Sequence, residues 1–419
     1  MTFSVNQSRH YVKHSLRHEA ISLAHPVAAR HTGHMARATA ATAPARVTTY
    51  ELFFDLVFVL TITRLADVLH HDPDLIGLLT VLLILANIWW MYSGYGWLTS
   101  NTGTSTLTRR LLLFVAMGGF LVMAIATPNA FGADGLAFGL AYLVVSVVHL
   151  GMFGTVFEQG ALREMLQIAP YNLGSAALLI VAGFVEGAAD WWLWGAAAAL
   201  HVALLEFGTY RDFSVPQAHF VERNGVVLIV ALGESMVALG LGVGDDAITL
   251  AVLVGALLSL ALAAALWSLY FVDADTAAER ALESAPRDSV LRIAGLAFSY
   301  AFVPLLAGIV MISAGLTEVL AHPLDPLPAS WAAFLAGGAA VYLLGIAAFR
   351  QAVGAASGAL WLGYGAGAAA CVAARWLGTS ATALAEVAVV VVVLFAVVFV
   401  VHRLRPRVDH GAAAASDAA

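Results

Sequence analysis

From residue 50 onward the chain repeats one pattern. An apolar run long enough to cross a lipid core, which takes about 20 residues of helix, is followed by a short polar break. The breaks read HHDPD, ATPNAFGAD, GVGDDA and AHPLDPLPAS, and their proline, glycine and acidic residues end helices and favour turns. The runs predict helices over 51–69, 75–96, 109–127, 135–156, 169–186, 190–208, 221–242, 247–272, 289–315, 330–349, 358–377 and 381–402. The expected fold class is therefore all-α: a polytopic membrane protein of about twelve transmembrane helices. That number is compatible with two similarly oriented six-helix halves, 46–208 and 209–403. Residues 1–45 are polar and basic, with Glu19 as their one acid. They and residues 404–419 are expected to be disordered tails.

The basic residues assign a direction to the pattern. Arg9, Lys13, Arg17, Arg30, Arg37 and Arg46 precede the first span; Arg109 and Arg110 fall in the second connection and Arg163 in the fourth. Arg211 and Arg223 surround the sixth, Arg280, Arg287 and Arg292 the eighth, Arg350 the tenth, and Arg403, Arg405 and Arg407 end the last span. Positive charge is retained on the cytoplasmic side, so the expectation is a multi-pass protein of the cell membrane with both termini in the cytoplasm. Trp89, Trp90, Tyr92, Tyr95 and Trp97, and again Trp191, Trp192 and Trp194, cluster at predicted span ends, where aromatic rings favour the headgroup zone. Gly363 and Gly367 are spaced to let two helices pack closely.

Composition agrees. The chain is 61% hydrophobic and 11% charged, with a mean hydropathy of +0.86, so lipid is the solvent for most of its surface. Cys371 is the single cysteine, which excludes a disulfide framework and a thiolate metal site. His10, His14 and His18 share one face of a possible helix, but no carboxylate or cysteine accompanies them as a metal co-ligand. No apolar core of signal-peptide length precedes a cleavage site, and Met35 is an alternative translation start. The pattern implies a lipid bilayer and a small solute or ion as partners, no nucleic acid and no cofactor, and it is compatible with a homo-oligomer.

The informative residues are charges placed where apolar ones are cheaper, each costing about 2.5–3.5 kcal/mol at mid-membrane. Glu51 and Asp55 open the first span in YELFFDLVFVLTITRLADVL, one turn apart on one face. Unpaired N–H groups and the helix dipole at that end favour an acid, which is a sufficient reason for Glu51 but less so for the deeper Asp55. The run HFVERNGVVLIVALGESMVALG, residues 219–240, opens the seventh span in the same way. There Glu222 takes the place of Glu51, and Glu234 follows about 18 Å along the helix, beside Gly233, which lets a neighbouring backbone approach, and Ser235, which can hydrogen-bond across helices. Arg64 lies at a depth similar to Glu234: it pairs either with Glu234 across the two halves or with Asp67 on its own helix. His149, His201, Glu206, Arg375 and Glu386 also stand inside apolar runs. No metal-binding, phosphate-binding or nucleophile motif is present, and GLGVGDD is a tight turn with no preceding strand.

ELFFDLVFVLTIT followed by HFVERNGVVLIVALGES resembles the bacterial low temperature requirement A family. The matching positions are Glu51, Leu52, Phe53, Phe54 and Asp55, then His219, Glu222, Arg223, Gly225, Ile229, Gly233, Glu234 and Ser235. WSLYFVD at 267–273 resembles a later element of the family, and the likeness covers about residues 44 to 403. The resemblance implies the architecture and the pathway candidates Glu51, Asp55, His219, Glu222, Arg223, Glu234 and Ser235, but no substrate. The sequence departs from the family at Arg64, where a neutral polar residue is common, and at Tyr300-Ala301-Phe302, where Tyr-x-His is common. FFDLVFVLTIT is also similar to the opening of pore helices in two-repeat potassium channels, as an analogy only.

Three functions fit these residues. A transporter or channel for a cation, proton or proton-coupled solute would line its path with Asp55, Glu222 and Glu234. A membrane-embedded enzyme would use the paired carboxylates as acid and base in isomerising or cyclising a lipophilic substrate. A scaffold or sensor would use the charges only to hold helices together. Both active alternatives expect the acids of the two halves to share one solvated chamber.

Overall fold

A computed structural model describes residues 48–102, 106–154, 161–207, 216–243 and 248–404. The histidine-rich segment and the C-terminal tail lie outside them. The regular elements of the described residues are all helical, with no strand among them. In chain order the helices are α1 (Thr49–His71), α2 (Leu75–Thr102), α3 (Leu107–Ala126), α4 (Gly135–Gly154), α5 (Ala161–Ala182), α6 (Ala188–Phe207), α7 (Gln217–Val243), α8 (Leu250–Phe271), α9 (Ala274–Ser284), α10 (Arg287–Ala294), α11 (Phe302–Ala321), α12 (Ala329–Ala352), α13 (Gly358–Ser380) and α14 (Ala383–Arg403).

Eleven of the predicted apolar runs each overlap one of these helices, while 289–315 passes through α10, Gly295–Tyr300 and α11. Seven described segments are long and apolar enough to cross a membrane: Leu75–Asn101, Leu107–Asn129, Gly135–Phe153, Leu250–Ser284, Ser289–Ala321, Ala329–Ala352 and Ala383–Arg403. Helices α1, α5, α6, α7 and α13 are not among these seven; in α1 the charged residues Glu51, Asp55, Arg64 and Asp67 interrupt the apolar stretch. The short α9 lies in what the pattern predicts as a loop. It buries Ala274, Ala278 and Leu282 at four-residue spacing, against α7, α8 and α12.

Neighbouring helices in sequence pack in space, α3 on α4, α4 on α5, α5 on α6, and α11 on α12, α12 on α13, α13 on α14. Helix α1 touches α2, α3, α7 and α11, so it joins early and late segments of the chain. Small residues set the closest approaches. A Cβ on Gly308 of α11 would lie 2.7 Å from the Gly338 carbonyl oxygen of α12, while Gly367 and Gly363 of α13 admit Val397 and Val400 of α14. Gly233 is different: it faces open space rather than a neighbouring backbone.

Between α10 and α11, residues Gly295–Tyr300 form a π-helical turn, closed by Ala301 N–H donating to the Leu296 carbonyl at 3.1 Å. Pro304 explains its place: proline has no N–H to return to the ladder, and its ring crowds the carbonyl four residues back. Single π turns inside helices often mark functional positions. Helix α2 reads this one, because Trp89 Nε1 donates to the Phe298 carbonyl at 3.1 Å and the Ser93 and Ser299 hydroxyls are 3.2 Å apart. The aromatic cluster of α2 thus lies inside the helix bundle. Trp89, Tyr92 and Tyr95 are fully buried among helices and do not form a headgroup belt; of the second cluster, Trp194 is buried and Trp192 exposed.

Candidate functional site

Helix α1 begins with a reciprocal cap. Thr48 N–H and its hydroxyl donate to Glu51 Oε2 at 2.8 and 2.9 Å, and Glu51 N–H donates to Thr48 Oγ1 at 3.4 Å. The cap fixes the Glu51 side chain, leaving Oε1 free to meet Arg223 Nη1 of α7 at 2.9 Å. One turn further, Asp55 Oδ1 lies 3.5 Å from Arg223 Nη2 and accepts a hydrogen bond from the Tyr92 hydroxyl of α2. His219, one turn before Arg223, places Nε2 3.5 Å from Glu51 Oε2 and Nδ1 3.1 Å from the Ser100 hydroxyl of α2. Arg223 Nη1 also donates to Thr99 Oγ1, and the guanidinium carbon lies 5.7 Å from the centre of the Phe54 ring.

The cluster is dry. Glu51, Asp55 and Arg223 are each 1% exposed and His219 is 8% exposed. It joins α1, α2 and α7, and Asp55 and Arg223 in it are 168 positions apart in the chain. At Gly96 the guanidinium lies close to the α2 backbone: a Cβ there would sit 3.5 Å from Arg223 Nε, an ordinary contact. Two atoms remain without partners, Asp55 Oδ2 and Arg223 Nε. Two carboxylates face one guanidinium, so the cluster lacks one positive charge when His219 is neutral.

The remaining candidates go elsewhere. Glu222 is exposed and faces away from Glu51 and Asp55, because one residue along a helix turns the side chain by about 100°. Glu234 is buried beside Thr63 of α1, with Asp67 nearby. Thr63 is eight residues after Asp55, about 12 Å along α1. Arg64 pairs with Asp67 at 3.1 Å, both partly exposed, so the pair on one helix forms rather than the one with Glu234. Ser235 donates to the Leu232 carbonyl of its own helix at 2.6 Å rather than across helices. Asp55, Glu222 and Glu234 thus occupy three different surroundings instead of one shared chamber. Among the described residues, no group of three or more histidine, cysteine or acidic side chains could hold a metal ion.

Reading the sequence missed the contribution of α2. Tyr92, Thr99 and Ser100 complete the cluster; for Tyr92 the signal was the run Tyr92-Ser93-Gly94-Tyr95-Gly96-Trp97, in which two glycines interrupt an otherwise aromatic stretch.

The family described as Bacterial low temperature requirement A protein (LtrA) matches this chain over residues 46–399. A relative described as uncharacterized protein RA0937, from Rhizobium meliloti (strain 1021), is 28% identical over 308 residues, covering 70% of this chain and 75% of the relative. No solved structure matches.

Proposed function

Starting from a chain that belongs to the bacterial low temperature requirement A family, we propose a proton-coupled carrier of a small solute in the cell membrane, with both termini cytoplasmic. The chamber of acids expected from the sequence does not form, so this reading rests on a different observation: Glu51, Asp55, His219 and Arg223 form one buried cluster, which is one positive charge short when both carboxylates are ionised and His219 is neutral. An uncompensated buried charge is expensive, and a proton is the smallest species that removes it. Placed on His219 or on the half-partnered Asp55, that proton completes the pairing between α1 and α7. Its loss leaves a net negative charge between the same helices and weakens their contact. Protonation is thereby tied to the packing of early against late helices, which is what a carrier needs to couple a proton to a change of access.

The test uses proteoliposomes loaded with a pH-sensitive dye and challenged with a panel of small uncharged solutes. At least one solute is expected to move protons, and Asp55→Asn, which balances the cluster without a proton, is expected to uncouple solute from proton movement while the protein stays folded. Solute flux indifferent to the pH gradient in wild type would overturn the coupling.

A second reading has the burial of the cluster behind it: a clamp that only holds α1, α2 and α7 together in a scaffold or sensor. Loss of thermal stability in proportion to loss of flux, across every charge variant, favours the clamp.

A further inference from the structure

Glu386 stands in the first turn of α14 as Glu51 does in α1, but nothing answers it. The side chain is wholly buried, and neither Oε1 nor Oε2 has a hydrogen-bond partner among the described residues. It packs where α13 ends. A Cβ on Gly378 would overlap Glu386 Oε2, so the glycine leaves room for the carboxyl. A neighbouring backbone N–H, that of Ala336, lies inside α12 and is committed to that helix.

An acid in the first turn of a helix has four N–H groups within reach that the helix itself leaves free. In α14 all four are taken. The N–H groups of Ala383 and Leu384 donate to the Asp325 and Pro323 carbonyls at 2.9 and 3.2 Å. Ala385 N–H donates to Thr382 Oγ1 at 3.2 Å, and Glu386 N–H to the Thr382 carbonyl at 3.4 Å. Two of these acceptors belong to residues 322–328, which join α11 to α12. The same segment returns a donor: Leu327 N–H donates to the Gly378 carbonyl at 2.8 Å. It is a strap across the ends of α13 and α14, tied to the glycine against which the carboxyl packs.

Few other ionisable groups face Glu386. Arg375 of α13 is near, but it is exposed and outside hydrogen-bond distance. Cys371, two turns earlier on α13, is buried. Helix α8 has no charged residue, and α12 has Arg350 alone, at its opposite end and paired with Asp273. The Tyr342 hydroxyl of α12 donates to the Leu266 carbonyl. The strap adds His322 and Asp325, an exposed pair at 3.8 Å, and Glu318 precedes it.

We propose that Glu386 is a proton-binding site that controls the strap: with the proton, the carboxyl stays in the seam of α12, α13 and α14 and the strap is closed; without it, the carboxylate leaves the seam and the strap opens. A carboxylate with no donor is far costlier to bury than the neutral acid. It finds a donor at Arg375, by moving out past Gly378, or at the Ala383 and Leu384 N–H groups, once these release Asp325 and Pro323. Both routes disturb the bonds that hold the strap. On the twelve-crossing arrangement the strap lies on the outer face, so the site responds to external pH. It shares no residue with the Arg223 cluster and stands whether or not that cluster couples a proton to transport.

The test is amide hydrogen exchange of the full chain in nanodiscs, corrected for the intrinsic pH dependence of exchange. It compares about pH 6 with about pH 9, which bracket the range in which deeply buried glutamates ionise. In wild type, protection of the Leu327, Ala383 and Leu384 amides is expected to fall by about tenfold or more at the higher pH, because one proton lost on opening gives about tenfold per pH unit. Protection in the interior of α12 should not change. Glu386→Gln, neutral at both pH values, should keep the strap closed at both, and His322→Gln with Asp325→Asn should leave the response intact. Equal protection at the two pH values in wild type, the same fall in Glu386→Gln, or loss of the response in the double variant overturns the proposal. Should Glu386→Gln fail to fold, Glu386→Asp, whose shorter acid sits differently against Gly378, must move the midpoint of the response, and an unchanged midpoint overturns the assignment.

Discussion

Arg223 is the residue on which the α1–α7 contact turns. It answers two carboxylates and a threonine hydroxyl in a space closed to water. Removing one partner of such a group strands the others, at about 3–5 kcal/mol. Arg223→Ala is expected to lower stability by that order, measured by thermal unfolding in detergent. Adding Glu51→Gln and Asp55→Asn to Arg223→Met should recover most of the loss, because no charge is then left unpaired. Much of this was legible beforehand: carboxylates in a greasy helix demand a reason, and Glu51, Asp55, His219 and Arg223 were all singled out. Which of the adjacent Glu222 and Arg223 turns inward was not legible. Neighbouring residues on a helix point about 100° apart, and only the packing of α7 on α1 and α2 chooses between them. The hydroxyls of Thr99 and Ser100 were missed because such residues are ordinary in membrane helices, where they bond to their own backbone as well.

At the scale of the element, small residues decide how close the helices come. Gly308 and Gly338 bring α11 and α12 into backbone contact. Gly308→Ala would drive a methyl against a carbonyl with nothing flexible to yield, and overpacking of this kind costs about 1–3 kcal/mol. Gly233→Ala, facing open space, is expected to be neutral or slightly stabilising, since alanine favours helix over glycine; paired melting curves check both. The long helices were legible because twenty apolar residues have few alternatives. The π turn at Gly295–Tyr300 was not, because Pro304 predicts a disturbance in the ladder but not its form. Helix α9 was overlooked for a different reason. Its four-residue spacing of Ala274, Ala278 and Leu282 is a helical signal, yet a search tuned to bilayer-length runs passes over eleven amphipathic residues.

For the whole molecule, twelve crossings with cytoplasmic termini are the proposal that the distribution of arginine supports, and labelling tests it. With Cys371 replaced by serine, single cysteines introduced at Asp134 and Leu324 are expected to react with a membrane-impermeant maleimide from outside intact cells. Cysteines at Thr106 and Ala285 should react only after the membrane is opened. Labelling of all four from outside would contradict the arrangement. Architecture follows from where apolar runs begin and end, whereas function follows from which polar atoms remain unsatisfied once the helices meet. That second property exists only in three dimensions, as at Asp55 and Glu386.

The cluster's missing positive charge is tested most directly by infrared difference spectroscopy at neutral pH. Wild type is compared with Glu51→Gln, Asp55→Asn and His219→Gln to assign the bands. A protonated carboxyl or an imidazolium is expected in wild type and absent from Asp55→Asn. Ionised Glu51 and Asp55 beside a neutral His219 in wild type would contradict it.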